Sequence, residues 1–123
     1  MSRMRLRLAA FAIATIAADP SNAETLRWSC TYAKIATPAG VRADTFALEF
    51  VLDTLTKKAV MIGNAGVADI DAFSGNQGIT FQERLGSGAV QTTTIAKDAS
   101  SVHSRHTMIG GKLTPSQYYG SCQ

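Results

Sequence analysis

The chain has 123 residues, 46% of them hydrophobic and 17% charged, with two cysteines and a formal net charge of +3. That length and mix exclude a multidomain enzyme, a collagen, a coiled coil, a disordered polar tail and a disulfide-dense miniature scaffold. What remains is one small globular domain, whose positive charge at face value suits nucleic acid or an anionic membrane.

Residues 1–23 read as a secretory signal peptide. Arg3, Arg5 and Arg7 form a basic start without an acid among them, and Leu8 to Ala18 is an uncharged apolar run that Asp19-Pro20 ends. Ser21-Asn22-Ala23 then supplies the small residues that a cleavage site requires. The apolar run falls short of the about 20 residues that a bilayer span needs, so no stable membrane span is expected after cleavage.

The remainder, 24–123, is expected to be a single domain in the periplasm or outside the cell. It carries nine basic and eight acidic residues, a formal charge of +1, with the signs interspersed. No basic block survives, so nucleic acid is not an expected partner. In an exported protein two cysteines predict one disulfide. Joining Cys30 to Cys122, it encloses nearly the whole domain.

Period-two alternation runs almost throughout. Leu26, Trp28, Cys30 and Tyr32 alternate with Arg27, Ser29 and Thr31, the pattern of a half-buried strand. After a turn at Pro38-Ala39-Gly40, Phe46, Leu48, Phe50 and Leu52 give the strongest strand signal in the chain. Polar residues 53–58 suit a hairpin into Ala59-Val60-Met61-Ile62, and Gly63-Asn64-Ala65-Gly66 breaks that run. Val67 to Phe73 resumes as a strand with Asp69 and Asp71 on the face of Val67, and Ser74 to Gly78 is a loop. Ile79 to Leu85 alternates again and ends at Gly86-Ser87-Gly88. Ala89 to Lys97, a turn at Asp98 to Ser101, and Val102 to Ile109 make a further hairpin. Gly110-Gly111 and Pro115 interrupt before Tyr118-Tyr119 lead to Cys122.

About seven or eight short strands with no helix of ten residues predict an all-β meander closed into a barrel or stacked as a sandwich. A disulfide between the first and last strands favours closure, which also removes two exposed edges. Leu26, Trp28, Phe46, Leu48, Phe50, Leu52, Ile62, Ile79 and Phe81 are the expected core.

His103-Ser104-Arg105-His106-Thr107 is the densest cluster of reactive side chains. On a strand, positions 103 and 106 point to opposite faces, so the pair converges only at a bulge or turn. The plain structural expectation gives one histidine an internal hydrogen bond and leaves the other outside with Arg105. Of Tyr118 and Tyr119, one packs inward, and tyrosine brings large contact area at low entropy cost. His103, Arg105, His106 and Tyr119 are therefore the candidate binding residues. No catalytic, metal-ligating or cofactor-binding residue is assigned, because no nucleophile elbow or ligand spacing is present.

Trp28-Ser29-Cys30, Gly120-Ser121-Cys122 and the Gly86-Ser87-Gly88-Ala89 loop resemble, in outline, the small periplasmic inhibitors of c-type lysozyme. That resemblance implies an exported antiparallel barrel with an inhibitory loop, although the family's tyrosine-containing inhibitory pattern is not matched. The expected function is a non-catalytic binding module for a protein or small ligand at the cell envelope. The alternatives are a small hydrolase or metal-binding protein using His103 and His106 with Asp69 or Asp71, and a lysozyme-inhibitor-like protein.

Overall fold

A computed structural model of the chain describes residues 24–123, and the leader expected over 1–23 lies outside the described residues. Eight strands follow in order: β1 (Thr25–Thr37), β2 (Gly40–Asp53), β3 (Ala59–Gly63), β4 (Gly66–Gly75), β5 (Gly78–Arg84), β6 (Val90–Ala96), β7 (Ser100–Ile109) and β8 (Lys112–Cys122). Each pairs antiparallel with the next and β8 returns to β1, so the sheet closes into an up-and-down barrel. An eight-stranded barrel has an interior just wide enough for side chains to fill, which makes the inward residues the core.

Alternation selects that core. Cys30, Tyr32, Leu48, Phe50, Ile79, Phe81, Ile95 and Tyr118 are buried, and Trp28, Phe46, Leu52 and Met61 pack against them. Phe50 stacks on Phe81 with ring centroids 4.6 Å apart, and Trp28 and Phe81 meet in a T-shaped contact with centroids 5.5 Å apart.

Two expected core residues lie elsewhere. Ile62 pairs with Glu49 on the outer face, because Ala59 and Met61 are the inward residues of β3. Four apolar residues in a row carry no alternation from which to read their facing. Leu26 is 36% exposed. Pairing of β1 with β8 starts only at Cys30, so Leu26 sits on a stretch flanked by a single strand. Pro115 does not interrupt β8 but lies within it, opposite His106. The β1 pairing of β8 ends at Gln117, and the free edge beyond it tolerates a residue without an N–H.

At the seam between β1 and β8 the two backbones approach closely. Cys30 faces Cys122 in register and is bonded to it, and backbone hydrogen bonds between Ser29 and Gln123 continue the ladder past the disulfide. One step along, Tyr32 faces Gly120. A Cβ at Gly120 would stand 2.0 Å from the Thr31 carbonyl oxygen and 2.7 Å from the Tyr32 Cα, a close backbone approach that only glycine allows. Beside it the β1 register shifts between Tyr32 and Lys34, a bulge of the kind that bends a strand around a barrel. The Tyr32 hydroxyl reaches Ser101 Oγ on β7 at 2.9 Å, so one side chain ties three neighbouring strands.

The hairpins differ in height. Pairing of β2 with β3 stops at Glu49, yet β2 continues to Gly40 beside β1. Likewise β7 leaves β6 at Arg105 and continues to Ile109 beside β8. The adjacent β1–β2 and β7–β8 hairpins thus rise above the rest as a tall wall. The β4–β5 ladder ends at Asp71 and Gln82, so the opposite wall is low and split. The Gly110-Gly111 turn, with φ of 57° and 78°, tips one tall hairpin.

Gly120→Ala is expected to destabilise the protein by about 2–3 kcal/mol, since neither contact is a movable side chain. Replacing both cysteines by alanine is expected to remove about 4–5 kcal/mol through the enclosed loop. Urea denaturation checks both, and denatured unreduced protein is expected to show no free thiol.

Candidate functional site

The upper half of the barrel interior is polar where β5, β6 and β7 meet, and the register explains why. Phe81, Thr93, His103 and Tyr118 form one inward rung across β5 to β8, and Glu83, Gln91, Arg105 and Ser116 form the next rung above it. The lower rung is packed and the upper one opens on the mouth.

His103 is fully buried. Its ring lies among those of Tyr32, Phe46 and Tyr118, with all six centroid separations between 4.6 and 6.4 Å. Thr93 Oγ1 lies 2.6 Å from Nδ1, and Arg105 Nε donates to Nε2 at 3.3 Å. An arginine nitrogen has only a proton to offer, so Nε2 is the acceptor and the neutral ring carries its hydrogen on Nδ1, donated to Thr93. Burial, and after it the charge of Arg105, pushes the His103 pKa down to about 3. Burial likewise raises the Tyr32 phenol, against the smaller opposing effect of its Ser101 hydrogen bond.

Arg105 is half-buried and its guanidinium carbon lies 4.6 Å from the Phe46 ring centroid and 5.1 Å from that of Tyr118. Aromatic faces stabilise a cation, most where water is scarce. Among the described residues, no carboxylate lies within ion-pairing distance of Arg105; the two ion pairs are Arg27 with Glu49 and Arg84 with Asp71.

Above this cation the low wall leaves a cleft of about 540 Å³. Phe46 and Leu48 of β2, Met61 of β3, residues 64–68 around the β3–β4 turn, and Glu83, Leu85, Gln91 and Arg105 line it. Its size falls within the about 300–1,000 Å³ of small-molecule sites, and its lining has their mixture of apolar surface and a few polar groups.

Of the four candidate binding residues, the structure brings together two. His103 and Arg105 share the inward face, with Arg105 in the cleft and His103 supporting it from beneath. The expectation that Arg105 lies outside is overturned: it has the parity of His103, and the open mouth lets its charged head reach water. His106 and Tyr119 point outward on the opposite parity and are exposed, with the Tyr119 hydroxyl on Gln117. Tyr118 is the tyrosine that packs inward. Both nitrogens of His103 are engaged and its ring has no surface, so it is not placed to meet a substrate. Asp69 and Asp71 lie on the outer face of β4, and among the described residues no three His, Cys, Asp or Glu side chains are grouped to hold a metal ion.

Glu83 and Gln91 are the site residues that the strand patterns leave unremarked. A signal for Glu83 exists, since it shares the parity of Ile79 and Phe81 and places a carboxylate on an apolar face. No protein-family model, curated protein or solved structure matches this chain.

The neutral imidazole predicts acid sensitivity. Unfolded histidine titrates near 6.5 and folded His103 near 3, so between those values the unfolded chain alone takes up a proton. Stability is complete above about pH 6.5 and is expected to fall by about 2–3 kcal/mol on acidification to pH 4.5. Urea midpoints across that window measure the slope, which His103→Gln is expected to abolish.

Proposed function

We propose that this chain is an exported, non-catalytic binding module that holds a small ligand in the mouth of its barrel. The observation that carries this reading is the one-sided cleft. The lower interior is packed with aromatic and aliphatic side chains, whereas the upper rung leaves a cavity lined by apolar Phe46, Leu48 and Met61 together with polar Glu83, Gln91 and Arg105. A rigid barrel whose ends are cross-linked supplies the pre-organisation that lowers the entropic cost of binding. The disulfide fits the oxidising compartment that the leader implies. A hydrolase built on His103 has less support, because that ring faces Arg105 and Thr93 and has no exposed edge.

The neutral fluorescent probe N-phenyl-1-naphthylamine tests the cavity. Its emission is expected to rise and shift to the blue, saturating at one probe per chain. Ala68→Trp, which places a large side chain in the cleft, is expected to weaken binding about tenfold or more while the thermal midpoint stays close to that of the parent. A parent protein that leaves the probe's emission unchanged refutes the reading. Near-stoichiometric suppression of a c-type lysozyme, indifferent to Ala68→Trp, would instead place the function on the rim, where the Gly86-Ser87-Gly88 loop is exposed.

A further inference from the structure

Arg105 and Glu83 are the charged residues of the upper inward rung, and among the described residues neither has an ion-pair partner. The described residues give Arg105 one hydrogen bond, from Nε to His103 Nε2, and no carboxylate. Its charged head faces the open mouth, where solvent or a ligand completes its coordination. The Phe46 and Tyr118 faces stabilise the flat of the guanidinium but leave its edge unused. With Nε committed to His103, the outer edge retains the two parallel N–H donors that match a carboxylate in a bidentate pair.

Glu83 sets a limit on what can enter. It lies on the same rung, with Gln91 on the strand between, and lines the same cleft. The guanidinium lies against Phe46 of β2 and Tyr118 of β8 and makes no ion pair with Glu83. The cleft therefore holds one cation beside aromatic surface and one carboxylate two strands along the same rung. A second negative charge on a ligand would be repelled by Glu83 within the same cleft.

We propose that the mouth takes a monocarboxylic acid with an apolar body, its carboxylate on the outer edge of Arg105 and its body against Phe46, Leu48 and Met61. This rests on the mouth being the ligand site, and it names the class of ligand. Arg105 is the anchor and Glu83 the residue that discriminates against dianions. His103 positions Arg105 without touching the ligand.

Displacement of bound N-phenyl-1-naphthylamine by decanoate, decanol and decanedioate tests the assignment at neutral pH. Decanoate is expected to displace the probe at concentrations about tenfold or more below those of decanol, the advantage of a charge-assisted hydrogen-bonded pair. Decanedioate is expected to trail decanoate by a similar factor, and Glu83→Gln to narrow that gap. Arg105→Gln, with displacement read against the variant's own probe affinity, is expected to treat decanoate and decanol alike. Equal displacement by decanoate and decanol in the parent protein overturns the proposal without recourse to any variant, and so does a folded Arg105→Gln protein that keeps the decanoate preference. If Arg105→Gln fails to fold, the comparison of decanoate with decanol in the parent decides. A probe that binds without any carboxylate preference removes only the ligand class, whereas absence of probe binding removes the mouth as a site as well.

Discussion

Everything in the barrel interior depends on the close approach of β1 and β8. At that seam a disulfide, a backbone ladder and a glycine act together. Cys30 and Cys122 fix the lower end, and Gly120 lets the backbones draw together where the β1 bulge turns the strand. The Tyr32 side chain then extends past β8 to Ser101 on β7. Closure is what places a ring from β2 beside a cation from β7. In an open sheet Phe46 and Arg105 would lie at opposite ends, with no reason to meet. The four-ring cluster of Tyr32, Phe46, His103 and Tyr118 draws one member from each of β1, β2, β7 and β8, so it is a direct product of the seam.

The mouth follows from unequal strand lengths on a common closed frame. β1 and β2 have 13 and 14 residues while β3 has 5, so the ladder around the barrel cannot be complete at every height. Lower down, where β2 is still paired with β3 and β4 with β5, inward residues fill the interior. Higher up, β2 has lost β3 and β4 has lost β5, and the inward residues there have only part of a wall to pack against. Polar side chains occupy that level because water reaches it. Buried polar groups lower down are fewer, and those of Thr93, Ser101 and His103 are hydrogen-bonded.

Much of this architecture was legible as strand parity. The alternation of Phe46 through Leu52 and of Ile79 through Leu85 identifies inward faces, and cysteine position foreshadows closure. Where the residues are uniformly apolar, as at Val60 to Ile62, parity has nothing to alternate against and Ile62 is misplaced. The site was legible only in part, for a different reason. Parity puts His103 and Arg105 on one face and His106 on the other, but it does not say which face is inside when the segment holds polar residues on both. That decision is made by contacts far away in sequence, chiefly Tyr32, Phe46 and Tyr118 closing over the His103 ring. Glu83 and Gln91 became members of the site only when β5, β6 and β7 were set in register.

The orientation of Arg105 is settled by a chain of hydrogen bonds that begins deep in the core. Thr93 holds Nδ1 of His103, which fixes the tautomer and leaves the Nε2 lone pair facing the mouth. That lone pair selects Nε of the guanidinium and so turns its outer edge toward the cleft. An apolar residue at 103 would fill the same space at less cost in desolvation, but it would offer Arg105 no acceptor and leave its plane free to rotate. A protonated imidazole would be worse, because it would present a proton where a lone pair is required and add a like charge beside the cation. The low basicity of His103 is thus the condition on which the cation above it is held, and the same burial that secures the one makes the barrel depend on the other.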